Sequence, residues 1–152
     1  MPAPVILIYS LDDAHAALAA AETTGRPVTL QSGPDMAHAA GVRYFKEMHV
    51  ILKDAFPDQA FGFRIDCADT PGLALAALRI GLSDILFGGR PEVAAKLAAI
   101  ATKKGARLHH KSAGRARPAL DLLDRREPFE ACREWLRSVD RRTRGRRPSG
   151  SD

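Results

Sequence analysis

The stretch FGFRIDCADTPGLALAALRIGLSDILFGG, residues 61–89, decides the fold. Phe61, Phe63, Ile65 and Cys67 alternate with Gly62, Arg64 and Asp66, and aromatic and β-branched residues at every second position favour a strand. Asp69-Thr70-Pro71 then supplies helix-start chemistry: a side-chain oxygen for an orphan N–H, and a proline suited to the first helical position. Leu73, Ala76, Ala77 and Ile80 recur at helical spacing, and Gly81 stands where that helix must stop. Asp84 leads into Ile85-Leu86-Phe87, an apolar run of the kind found in a buried strand. Strand, helix and strand of these lengths imply parallel pairing with a right-handed crossover.

The flanking segments repeat the plan. Val5-Ile6-Leu7-Ile8-Tyr9 reads as a first strand, followed by an Ala-rich helix from about Ala14 to Thr23 that Ser10 or Asp12 caps and Gly25 ends. Val28-Thr29-Leu30 is a second strand. A long helix, roughly Met36 to Phe56, is interrupted at Gly41. Beyond Phe87, Gly88-Gly89-Arg90-Pro91-Glu92 opens a further helix with Val93, Leu97, Ile100 and Ala101 on its buried stripe, and Ala106 to His110 forms a weaker fifth strand. These β-α repeats of about 25 residues predict an α/β fold: a small five-stranded, doubly wound parallel sheet, flavodoxin- or Rossmann-like in three layers. Strand orders 2-1-3-4-5 and 3-2-1-4-5 both satisfy the pattern.

Residues 1–111 therefore form the sheet domain, 112–142 a C-terminal helical extension and 143–152 a disordered Arg-rich tail. Lys111 to Arg117 reads as a basic linker and Pro118 to Arg126 as a short helix. In the next helix Phe129, Cys132, Trp135, Leu136 and Val139 share one face, which docks on the sheet domain or meets a protein partner through Phe129, Trp135 and Leu136.

A chain of 152 residues suits one domain, and 45% hydrophobic with 27% charged residues is ordinary for a globular protein. No apolar run approaches the ~20 residues of a membrane span. Two cysteines far apart, Cys67 and Cys132, fit a reducing cytoplasm, the compartment expected here. The net charge of +5 is uneven: residues 1–102 carry 8 basic against 11 acidic side chains, and residues 103–152 carry 15 against 7. The basic excess in Arg141, Arg142, Arg144, Arg146 and Arg147 makes nucleic acid a candidate partner.

In open α/β sheets ligands bind beyond the carboxyl ends of the strands. That rim collects Asp66, Ser32, Gly33 and the Gly88-Gly89-Arg90 turn as candidate ligand-binding residues. The two glycines let backbone N–H groups approach an anion at a helix N-terminus, and Arg90 adds a forked donor for phosphate or carboxylate. Full phosphate-loop patterns do not occur. Asp66 and Asp69 could act as an acid–base pair, which makes a small enzyme the alternative to a regulatory or adaptor domain that binds a small anion. His109 and His110, adjacent on a strand, point to opposite faces and do not suit one metal ion. No cofactor is indicated.

The segment AALRIGLSDILFGGRPEVAAKLAAIA resembles the late part of response-regulator receiver domains, which implies an acidic cluster from Asp12, Asp13 and Asp66, with Lys111 as the lysine after the last strand. The same segment is similar to a late β-α unit of a phosphate-binding (β/α) barrel, although the chain is too short for a whole barrel.

Overall fold

The computed structural model describes residues 3–111 and 118–145. Its elements run β1 (Val5–Ile8), α1 (Leu11–Thr24), β2 (Val28–Ser32), α2 (Met36–Ala40), α3 (Val42–Ala55), β3 (Phe61–Asp66), α4 (Pro71–Arg79), β4 (Asp84–Phe87), α5 (Pro91–Lys103), β5 (Arg107–His110), β6 (Ala119–Asp121) and α6 (Pro128–Gly145). The fold is α/β, a parallel sheet flanked by helices, as the repeating pattern predicts.

The local signals act where the sequence puts them. Ser10 caps α1 by accepting the Asp13 N–H, and Gly25 closes it with φ 70°. Gly41, at φ 86° and ψ 153°, divides the long helical segment into α2 and α3, a conformation open to glycine alone at little cost. Thr70 is the N-cap of α4, but its hydroxyl pairs with His38 Nε2 at 3.0 Å rather than with a backbone N–H.

The sheet has six strands rather than five, in the order β5-β4-β3-β2-β1-β6, and every pairing is parallel. Neither order admitted by the sequence forms. From β1 to β5 each strand is laid beside its predecessor in one direction. Right-handed crossovers that all advance one way place their helices on one face. Accordingly α5, α4, α3, α1 and α6 pack neighbour to neighbour in a layer that follows the strand order. This order also departs from the 2-1-3-4-5 arrangement of receiver domains.

The sixth strand comes from the segment read as a short helix. Ala119, Leu120 and Asp121 pair with Val5, Ile6 and Leu7. Leu120 is buried between two exposed neighbours, a period of two that a three-residue segment shows too briefly to be read from sequence. The C-terminal extension is therefore part strand, part helix. Its helix runs on through residues 143–145, which were expected to be disordered; residues 112–117 and 146–152, the basic linker and the rest of the tail, lie outside the described residues.

One face of the sheet carries Ile6, Ile8, Leu30, Phe63, Ile65, Ile85 and Phe87, all buried under the helix layer. Their burial against the inward faces of the helices forms the hydrophobic core. By register the other face carries Tyr9, Thr29, Gln31, Arg64, Asp66, Asp84, His109 and Lys111. It is held by ion pairs: Arg64 Nε lies 3.2 Å from Asp84 Oδ1, and Lys111 Nζ lies 3.0 Å from Asp66 Oδ1. His109 Nε2 approaches the same Asp84 oxygen at 2.8 Å, outside hydrogen-bond alignment.

Helix α6 docks in cis on α1. Cys132 and Leu136 are fully buried, Phe129 and Trp135 pack against the core, and Arg26 Nη1, just past the end of α1, binds Asp140 Oδ1 at 2.9 Å. Of the two expectations for this face, docking within the chain is the one the structure shows, with α1 as its main contact. No described helix is long and apolar enough to cross a membrane.

Candidate functional site

The carboxyl ends of β3, β4 and β5 meet around Asp66. This side chain is 5% exposed. Its Oδ1 accepts the Ala68 N–H at 2.9 Å and stands 3.0 Å from Lys111 Nζ. Its backbone N–H donates to Ser32 Oγ at 2.9 Å, which ties β3 to the end of β2. The Asp66–Ala68 bond closes a tight turn in which Ala68 takes φ 51°, a left-handed conformation rare for a residue with a Cβ. Ala68 O in turn accepts the Gly88 N–H at 2.6 Å, so the turns after β3 and β4 are joined.

Lys111 lies across the second turn. Its stem packs on Gly88 so closely that a Cβ there would come within 2.8 Å of Lys111 Cδ. Its backbone N–H donates to Phe87 O at 3.0 Å. The Lys111 side chain is 43% exposed, and its ammonium has three donors, of which the Asp66 contact uses one. His110 Nε2 donates to Gly89 O at 2.7 Å, which clamps the same turn from the opposite face of β5. Arg90 follows as the exposed N-cap residue of α5, with no side-chain cap bond of its own.

The structure thus separates the residues singled out from sequence. Asp66, Gly88, Gly89 and Arg90 belong to one neighbourhood. Gly88 N–H is engaged by Ala68 and is not free for an anion. Gly89 is required by packing, since a Cβ would strike the Phe87 ring at 2.3 Å. Ser32 is buried and serves β3. Gly33 is buried under the Tyr9 ring, which a Cβ would meet at 2.1 Å. Both support the rim without forming its open surface. Asp69 is exposed on the turn into α4, whereas Asp66 is buried and bound to Lys111, so the expected carboxylate pair is replaced by a carboxylate–ammonium pair. Lys111 was visible in the sequence as the first residue of a basic linker and as the lysine after the last strand; its contact with Asp66 is what the structure adds.

Burial, with a smaller contribution from the Asp66 charge, pushes the Cys67 thiol up to about 12. Cys67 is therefore a packed apolar residue and not a nucleophile. At the β1 end of the rim, burial and then a hydrogen bond to Asp121 raise the Tyr9 hydroxyl to about 12. Among the described residues no cluster of three His, Cys, Asp or Glu side chains could hold a metal ion. A cleft of about 390 Å³ opens at the opposite end of the strands, lined by Glu22, Arg26, Pro27, Phe56, Asp58 and Gln59, away from this chemistry.

No family model matches the chain. Of curated proteins, it is similar to the plasmid-encoded fructose-bisphosphate aldolase of Cupriavidus necator, 28% identical over 86 residues that make up 57% of this chain and 25% of that one. Among solved structures it superposes on a Coccidioides immitis protein carrying the name fructose-1,6-bisphosphate aldolase, with a TM-score of 0.61 and 18% identity, over 86% of this chain and 52% of that one. The chain spans a quarter of the length of the curated relative and about half of the solved one. The second likeness concerns the fold alone.

Proposed function

We propose that this chain is an α/β binding domain for a small phosphorylated compound, held at the carboxyl rim of β3, β4 and β5. The observation that carries the reading is Lys111, its stem packed over Gly88 in the turn before α5 and its ammonium held by a buried Asp66. Lys111 offers unused donors, and Arg90 adds a forked cation on the same turn. The α5 dipole favours a negative group there. A sugar phosphate is the ligand class suggested by the names of the similar proteins. Ser32, Gly33, Gly88 and Gly89 shape the rim, and the ligand meets Lys111, Arg90 and the outer edge of Asp66. The domain acts in regulation or as an adaptor.

The test is a thermal-shift series with inorganic phosphate, fructose 1,6-bisphosphate and an uncharged sugar. Phosphorylated compounds are expected to raise the Tm of the wild-type chain in proportion to the logarithm of concentration, and the neutral sugar to leave it unchanged. Arg90→Ala is expected to reduce the shift with little change in the ligand-free Tm. Equal shifts for wild type and variant would remove Arg90 from the site.

A second reading, a small enzyme, is favoured by one observation: a buried carboxylate bound to an ammonium is suited to moving a proton at a bound carbonyl compound. In this reading Asp66 and Lys111, rather than Asp66 and Asp69, do the work. Release of triose phosphate from fructose 1,6-bisphosphate, lost in Asp66→Asn, would support it. Binding without turnover would leave the first reading in place.

A further inference from the structure

We infer that the solvent-facing side of α6 is a docking strip for the phosphate backbone of duplex nucleic acid, formed by Arg137, Arg141 and Arg142. Three observations lead to it.

The first is orientation. Cys132 and Leu136 are buried in the core on the inner side, and Arg137, Arg141 and Arg142 are exposed on the last turns of the helix. Arg137 and Arg141 are one turn apart and rise about 6 Å along the axis. Arg142 flanks them on the adjoining side.

The second is the state of the neighbouring carboxylates. Asp140 is drawn to Arg26, just beyond the end of α1, at 2.9 Å, and Glu130 to Arg133 at 2.7 Å. Arg137, Arg141 and Arg142 have no ion pair among the described residues. Arg26 thus engages Asp140, a carboxylate that lies beside Arg137 and Arg141 on the same surface. Glu134 borders the strip at its N-terminal side.

The third is the chemistry of the surface. Trp135 packs against the core, so the strip offers guanidinium groups without an aromatic platform. Single-stranded nucleic acid is held largely by stacking on such platforms, whereas a duplex is held through its phosphates with release of counterions. The occupant is therefore a duplex, bound without regard to sequence.

The experiment is fluorescence anisotropy of the full chain with a labelled duplex of about 20 base pairs, titrated across ionic strength. Three phosphate contacts predict a slope of about −2 to −3 for log K against log salt. Arg137→Gln with Arg141→Gln should flatten the slope by about two and weaken binding at least about tenfold at low salt. Both residues are exposed, so an unchanged Tm will show that the fold is intact. No binding at low salt would overturn the inference. So would binding whose slope the double variant leaves unchanged, which would place the contacts elsewhere. Association with anionic phospholipid vesicles in preference to the duplex would overturn it too, by assigning the strip to a membrane surface.

Discussion

Lys111 Nζ lies 3.0 Å from Asp66 Oδ1, joining the end of β5 to the end of β3 across the intervening turn of β4. The two partners are unequal: the carboxylate is buried and fixed by Ala68 N–H, whereas the Lys111 side chain is nearly half exposed. A half-solvated pair contributes about 1 kcal/mol or less, so Lys111→Met should lower the Tm by only a few degrees. Asp66→Ala removes the acceptor that closes the turn and should cost about 1–3 kcal/mol. Denaturant melts of both variants check the ranking, and a larger loss for Lys111→Met would contradict this geometry.

His49 supplies a pH dependence. Its ring stacks on Phe63 at a centroid distance of 4.7 Å, and burial, aided by Lys53 and Lys46, lowers its pKa to about 4. In the unfolded chain the ordinary value of about 6.5 returns. Between these values the unfolded state binds more protons, so stability is full above about 6.5 and is lost as pH falls toward 4. The ring is partly solvated, so the loss amounts to about 1–2 kcal/mol. His49→Phe should flatten stability in that window; an unchanged profile would show that other groups govern it.

The two thiols should be inert in the native state. Burial is the main cause that raises each to about 12. Alkylation at mildly alkaline pH should follow the rate of opening of the fold rather than thiol chemistry. Rapid reaction of Cys67 in the folded protein would indicate a reactive rim cysteine instead.

Leu136 anchors α6 at 1% exposure. Leu136→Ala should cost about 2–5 kcal/mol, and the lone tryptophan, Trp135, reports the change through its fluorescence. A loss below about 1 kcal/mol would mean that α6 contributes little to the fold.

The elements of residues 1–111 were legible because each carries its own punctuation: Ser10 and Gly25 around α1, Gly41 between α2 and α3, Pro71 and Gly81 around α4. Strand order was not, because the period of an apolar run does not say which strand it lies beside. The three-residue β6 was missed for lack of length, and its proline-led segment looked helical. At the site, Gly33 and Gly89 had the composition of a ligand loop, yet their spaces are filled by Tyr9 and Phe87, a tertiary fact that no local pattern records. Lys111 entered through the topology that lays β5 beside β4, next to the end of β3.

The proposed role of Lys111, holding a phosphorylated ligand at this rim, is open to direct measurement. The most direct measurement is isothermal titration calorimetry of fructose 1,6-bisphosphate into the wild-type chain and into Lys111→Met, both checked for an intact fold. Saturable binding to the wild type is expected, with at least about a tenfold loss in the variant, the effect of removing a charge-assisted contact of about 1.4 kcal/mol or more. Equal affinities, or no heat with either protein, would contradict it.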